Sequence, residues 1–215
     1  MNVLIGERLK TICSMTVGRV CADIGTDHAL LPCYLIYTGK ADYCYACDIA
    51  KGPLMRAKAN IEKYALSDKI ETVLMDGISP EISRKCDSII IAGMGGEMIA
   101  DILARGGITD KNTLILQPMS RSSALRRYLN LNGFRITDEV TFTDKGRVYS
   151  VIKAQRGADI VYTPGMLEMG RFIMERKNDT DMIYMKKRLA SLKKQARSGD
   201  AGYYNAAIKE TEDIL

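Results

Sequence analysis

Between Val20 and Gln117 the chain alternates short apolar, β-branched runs with segments of helical spacing, and the runs end on glycine or aspartate. This order constrains the fold more than any other feature, because strand, tight turn and helix in succession build parallel sheets. After a helical lead from Ile5 to Met15, the run Val20-Cys21-Ala22-Asp23-Ile24 closes at Gly25. Thr26 or Asp27 is expected to cap a helix that continues through Leu30 and Leu35 to Gly39, with Pro32 tolerated in its first turn. Tyr43 to Ile49 reads as a second strand, Gly52-Pro53 opens the next helix, and Ile70 to Met75 reads as a third strand.

Ser88 to Ala92 is continuously apolar and β-branched after its first residue, as suits a central parallel strand buried on both faces, and Gly95-Gly96 leads into a helix from Glu97 to Ala104. Thr113 to Gln117 is the fifth strand, after which Ser120 is expected to cap a helix closed by Gly133. Two late strands, Phe134 to Thr141 and Val148 to Ala154, have only Asp144-Lys145-Gly146 as a turn between them. A hairpin at the end of an alternating series predicts an α/β fold: a Rossmann-like, seven-stranded, mostly parallel sheet with one antiparallel strand.

Past Thr163-Pro164-Gly165 the strand signals stop, so the chain divides into a first domain over 1–160 and a helical, coiled-coil-like C-terminal arm over 161–215. Met182, Met185, Leu189, Leu192 and Ala196 follow coiled-coil spacing, with Asp179 or Thr180 as the cap and an end near Ser198. Gly199 to Gly202 reads as a break, and Tyr204, Ile208, Thr211 and Leu215 form the stripe of a second helix folding back antiparallel. The methionine seam suits an internal hairpin or a dimer equally, so a monomer or weak dimer is expected.

The 31 basic and 26 acidic residues leave a charge of +5, part of it concentrated between Lys186 and Arg197, where six basic residues occur without an acid. That segment is either a solvated helix face or a surface for a polyanion. No apolar run approaches the roughly 18 residues of a membrane span, and Glu7 and Arg8 spoil the pattern of a secretory signal. A cytoplasmic protein is expected, with its six cysteines unpaired. Cys44 and Cys47 would point to opposite faces of a strand, and His28 is the only histidine, so neither a redox pair nor a bound metal is expected.

Ligands of such sheets bind beyond the carboxyl ends of the strands. Asp27 stands two residues after Gly25, where a carboxylate would repel a pyrophosphate, and no G-x-G-x-x-G pattern is present. The loop therefore disfavours NAD or ATP and favours a cationic, phosphate-free nucleoside such as S-adenosylmethionine. Asp23, Gly25, Thr26 and Asp27 are candidates for that loop, Asp48 with Ile49 for the ribose, and Met75, Asp76 and Gly77 for the adenine. Gly93, Met94 and Gly95 would let the cofactor's sulfonium end or a flat substrate approach the backbone. The Asn/Asp-Pro-Pro-aromatic turn used to methylate exocyclic amines is absent, which points to a ring nitrogen.

Over Val20 to Pro32, Asp48 to Pro53, Asp76-Gly77, Ile91 to Gly96 and Leu116-Gln117-Pro118 the chain resembles the bacterial tRNA adenine-N1 methyltransferases that modify position 22. The resemblance implies a class I methyltransferase fold, S-adenosylmethionine as donor, tRNA as substrate, and C-terminal helices that help hold it. Cys47-Asp48-Ile49 departs mildly from the family pattern, as does Asn178 to Asp181, which would interrupt the arm helices. Asp27 and His28 are the catalytic candidates; the alternatives are a helix cap for Asp27 and a packed loop residue for His28. Arg121, Arg126, Arg127, Lys186, Lys187, Arg188, Lys193 and Lys194 are candidate RNA contacts. The competing reading is a non-catalytic, nucleoside-sensing RNA-binding or scaffold protein of the same fold.

Overall fold

A computed structural model describes residues 3–197 and 200–215. Its strands are β1 (Val20–Ile24), β2 (Tyr43–Asp48), β3 (Ile70–Leu74), β4 (Ser88–Gly95), β5 (Thr113–Ser120), β6 (Phe134–Asp144) and β7 (Arg147–Arg156). They form one sheet in the order β3-β2-β1-β4-β5-β7-β6. β1 to β5 are mutually parallel, and β7 runs antiparallel to both β5 and β6. This is the expected mostly parallel sheet with one antiparallel strand. Lys145 and Gly146 close the β6–β7 hairpin, both with positive φ, as a primed two-residue turn requires.

Side-chain alternation divides the core between the two faces of the sheet. Helices α1 (Glu7–Met15), α2 (Leu30–Tyr37) and α3 (Lys51–Lys63) cover one face, where Ile12, Leu35 and Ile61 pack on Cys44, Ile90 and Ile115. Helices α4 (Pro80–Lys85), α5 (Gly96–Ala104) and α6 (Ser122–Leu131) cover the other, where Ile82, Ile99 and Leu125 pack on Cys47, Ile89 and Leu114. Cys44 and Cys47 do lie on opposite faces, and all six cysteines are buried and unpaired.

Three helix starts differ from expectation. Neither Thr26 nor Asp27 caps α2, which begins at Leu30 behind a left-handed Ala29 that makes no side-chain cap. Ser120 belongs to β5, and α6 follows a left-handed Arg121, again without a side-chain cap. Asn178, instead of Asp179 or Thr180, caps α9 (Asp179–Gln195), and Asp181 completes a capping box. The expected interruption at Asn178 to Asp181 is thus a built helix start. The expected helix end at Ser198 and the break at Gly199 lie outside the described residues, while Gly202 falls inside α10 (Ala201–Glu212).

The C-terminal helices α7 (Pro164–Met169), α8 (Arg171–Arg176), α9 and α10 enclose their own apolar cluster around Met169, Ile173, Met185, Leu192 and Ala207, so the methionine seam is filled within the chain. α10 doubles back along α7: the Tyr203 hydroxyl bonds Glu168 near the end of α7, and Glu210 accepts from Thr163 and Gly165 at its start. From α9, Arg188 pairs with Glu168 of α7 and Lys193 with Glu212 of α10.

Arg126 joins these helices to the sheet. It is fully buried, its Nε donates to Glu139 of β6 at 2.6 Å, and its Nη1 donates to the carbonyls of Leu167 and Glu168 in α7. It is therefore no RNA contact, because its guanidinium reaches no surface. Gly170 passes directly over the pair, where a Cβ would stand 2.6 Å from Glu139 Oε2. Removing one partner strands a buried charge, so Arg126→Leu should cost about 3–5 kcal/mol in urea unfolding. A loss below about 1 kcal/mol would show that the pair is dispensable.

Candidate functional site

The loop after β1 is tied to β2. Gly25 and Thr26 both donate their amide hydrogens to the carbonyl of Cys47, each at 2.8 Å. Gly25 has φ +77°, which favours a bare backbone, and a Cβ there would come 2.1 Å from the Cε of Met94, whose flexible end would have to move. His28 and Ala29 follow with φ of 55° and 49°, a conformation that side-chain-bearing residues rarely adopt without support. Helix α3 supplies that support. Asn60 donates to the carbonyl of His28 at 2.9 Å, and Arg56 donates to Asp27 Oδ1 through Nη2 at 2.8 Å and Nε at 3.1 Å.

A cavity of about 370 Å³ opens beside this loop. Asp23, Gly25, Thr26, Asp27 and His28 line one side, Ala92 and Gly93 of β4 another, and Arg8 and Leu9 of α1 close it with Leu30 and Leu31 of α2. Burial pushes the Asp23 carboxyl up to about 6; the Thr26 hydroxyl and Arg8 oppose that rise, and Asp48 adds to it. Although near enough to temper Asp23, the buried Thr26 hydroxyl makes no hydrogen bond of good geometry among the described residues. A half-buried carboxylate and an unpartnered hydroxyl on one wall suit a cationic, hydrogen-bonding ligand.

The expected candidates separate into two groups. Asp23, Gly25, Thr26, Asp27, His28 and Gly93 share the cavity. Asp48, Ile49, Met75, Asp76, Gly77, Met94 and Gly95 do not line it, although they follow or end strands on the same rim of the sheet. Asp48 accepts from the Ala50 amide at 2.8 Å, and Ile49 is exposed. Asp76 pairs with Arg105 at 2.9 Å, and Gly77 lies against that guanidinium. β-Bulges around Met94 carry β4 on to Gly95, so the Gly93-Met94-Gly95 segment is paired strand. The Gly93 amide donates to the buried Gln117 side chain, and a Cβ on Gly93 would come 2.9 Å from Arg8 Nη1.

Sequence reasoning missed Arg8, Arg56 and Arg105. Each reaches its aspartate or glycine from a helix distant in sequence, and no local spacing announces such a contact. Gln117 was visible only as part of a motif. His28 Nε2 lies 3.4 Å from Asp27 Oδ2, and both side chains are substantially exposed. Of the basic candidates, Arg121, Lys186, Lys187 and Lys194 are exposed; Lys193 and Arg188 pair with Glu212 and Glu168, and Arg127 lies over the Tyr203 ring. Among the described residues no cluster of His, Cys, Asp or Glu could hold a metal, and no helix is long and apolar enough to cross a membrane.

Comparison with known proteins places this arrangement. Residues 5–152 match a family described as a methyltransferase domain. The tRNA (adenine(22)-N(1))-methyltransferase of Bacillus subtilis is 38% identical over 197 residues, covering 87% of this chain and 81% of that protein. The chain belongs to the tRNA (adenine(22)-N(1))-methyltransferase family. Solved structures agree. The M1A22 tRNA methyltransferase TrmK of B. subtilis aligns with a TM-score of 0.79 and 30% identity, over 99% of this chain and 96% of that one. TrmK of M. capricolum, in complex with S-adenosylhomocysteine, gives 0.82 and 25% over 98% and 99%. A Streptococcus pneumoniae protein in complex with S-adenosylmethionine gives 0.85 and 26% over 99% and 100%.

The raised carboxyl of Asp23 has a thermodynamic signature. Between its ordinary value of 3.8 and about 6, the unfolded chain releases a proton that the folded, ligand-free chain retains. This group therefore withdraws stability as pH rises through that window. Asp23→Asn should match the parent near pH 4 and exceed it by at most about 3 kcal/mol above pH 7. Urea unfolding at several pH values tests this; a difference independent of pH would show that Asp23 is not the titrating group.

Proposed function

We infer that the protein is an S-adenosylmethionine-dependent methyltransferase that methylates N1 of adenine 22 in tRNA. The observation that carries the reading is the meeting of Asp23, bare Gly25 and unpartnered Thr26 on one cavity wall, in a chain whose relatives bind S-adenosylmethionine or its product. Those relatives disfavour the non-catalytic alternative, since the curated one is named for this methyl transfer.

The cavity fits the cofactor. Asp23 offers a carboxylate to a cation, and Gly25 and Gly93 allow close approach of a ligand to the backbone. Asp48 and Asp76, on the neighbouring strand ends, would take ribose hydroxyls and the adenine edge, with Arg105 holding Asp76 in place. When bound, S-adenosylmethionine supplies a methyl group already activated by its sulfonium charge.

Adenine N1 carries an in-plane lone pair, so the nucleophile needs no deprotonation, but the product is a cation. Asp27 lines the cavity and offers negative charge to that developing cation, while Arg56 fixes its orientation and His28 flanks it. N1 lies on the Watson–Crick edge, so the base must be unpaired or extruded to reach the cavity. Basic residues of the C-terminal helices would hold the tRNA backbone, and we place this work in the cytoplasm, where tRNA is modified.

Asp27→Ala should leave cofactor affinity within about twofold by calorimetry while lowering turnover about 10- to 100-fold. Unchanged turnover would remove Asp27 from the mechanism. For the parent, cofactor affinity should rise as pH passes through about 6, because the cationic ligand favours ionised Asp23. Asp23→Asn should abolish that rise. Nucleoside analysis of tRNA treated with labelled donor should give N1-methyladenosine, and replacing adenine 22 by guanine should eliminate it; label elsewhere would refute the assignment.

A further inference from the structure

Three adjoining hollows, sharing Val148, Tyr149, Tyr184, Lys187 and Arg188 among their linings, form a groove between the end of β5, strand β7 and helix α9. Their volumes are about 160, 320 and 210 Å³. Among the described residues the lining holds four cations, Arg121, Arg147, Lys187 and Arg188, and no aspartate or glutamate. Glu168 compensates Arg188. Arg121, Arg147 and Lys187 are exposed and have no ion-pair partner among the described residues. Hydroxyls of Ser120, Ser122 and Tyr184 complete the wall.

The groove and the cavity at Asp23 flank the same glycine segment. Gly93 lines the cavity, whereas Gly95 pairs with Ser120, whose side chain lines the groove. Gly96 fits so closely under Arg121 that a Cβ would stand 2.2 Å from the Arg121 carbonyl, and this contact supports the left-handed backbone of Arg121 (φ 54°). Tyr149 stacks on Phe142, with ring centroids 5.5 Å apart, and packs with it on the α1-covered face of the sheet, whereas its neighbour Val148 faces α9.

We propose that this groove holds the single-stranded tRNA segment flanking the target adenine, with phosphates at Arg121, Arg147 and Lys187. The proposal rests on the methyltransferase reading and adds a route to it: a strand seated in the groove reaches the donor cavity by crossing Met94 and Gly95. Unpaired cations free of acids match a polyanion. Of the basic candidates, Arg121, Lys187 and Arg188 thus act in the groove, while Arg147 is added to them.

The test measures tRNA affinity across a range of KCl for Arg147→Ala/Lys187→Ala and Arg121→Gln. The control, Lys85→Ala/Lys111→Ala, removes the same charge as the double variant from the opposite, amino-end rim of the sheet. Calorimetry with S-adenosylmethionine reports whether each variant is folded. The double variant should bind tRNA about tenfold more weakly or worse, with a plot of log affinity against log salt shallower by about one to two. The control should stay within about twofold. Groove variants indistinguishable from that control, in affinity and slope, would overturn the proposal and assign the groove to some other partner. A parent protein that binds the cofactor yet neither binds nor methylates tRNA would refute the functional reading itself, and the groove assignment with it.

Discussion

The carbonyl of Cys47 accepts hydrogen bonds from both Gly25 and Thr26, and the geometry of the site follows from that attachment. Parallel pairing aligns Asp23 with Ala46 of β2 and Ile90 of β4, which brings the ends of three strands to one rim. The attachment then turns the chain away at Gly25, leaving room that Met94 reaches into from β4 and that Arg8 closes from α1. A larger residue at position 25 would meet the Met94 side chain, and one at 93 would meet Arg8. Both glycines also hold positive φ, which disfavours a side chain at either position even though the Met94 and Arg8 ends could move aside.

Charge is arranged unequally around this space. Asp23 sits where its ionised form is poorly solvated, and Arg8 offsets only part of the cost, so the ligand-free site holds a carboxylate whose proton affinity is raised. A cation entering the cavity relieves that condition, which makes the site selective for positive charge before any specific contact forms. Asp27 differs, being exposed and already paired with Arg56. Exposed pairs of this kind contribute about 0–1 kcal/mol to stability, so the pair's consequence is to fix where the carboxylate points. One aspartate is thus set apart by burial, the other by its pairing with Arg56.

The strands were legible because β-branched runs such as Ser88 to Ala92 carry their own signal, and the acidic rim was legible because each aspartate sits in or just after a strand. Helix starts were less so. α2 and α6 begin behind Ala29 and Arg121, left-handed residues with no capping side chain, and such starts are held by tertiary contacts: Asn60 on the His28 carbonyl in one case, Gly96 under Arg121 in the other. Asn178 resembled an interruption until Asp181 was seen to reach back to it. Arg126 was indistinguishable from its neighbour Arg127 in sequence. One faces Glu139 in the interior and the other lies over Tyr203, a difference set by helical phase against an ion partner thirteen residues along the chain.

The same buried pair bears on how the C-terminal helices act. Arg126 ties β6 to α7, Asp181 receives Arg176 and the Thr141 hydroxyl where α9 leaves β6, and Glu168 gathers Arg188 and Tyr203 from α9 and α10. These contacts are largely buried, where losing one partner leaves the other uncompensated, so independent swinging of the helices would break several together. Lys187 and Arg188 accordingly keep a fixed bearing on Ser120 and the glycine segment of β4. A polyanion binding there meets charges already in place, and the ordering that a flexible basic tail would undergo on binding is completed when the chain folds.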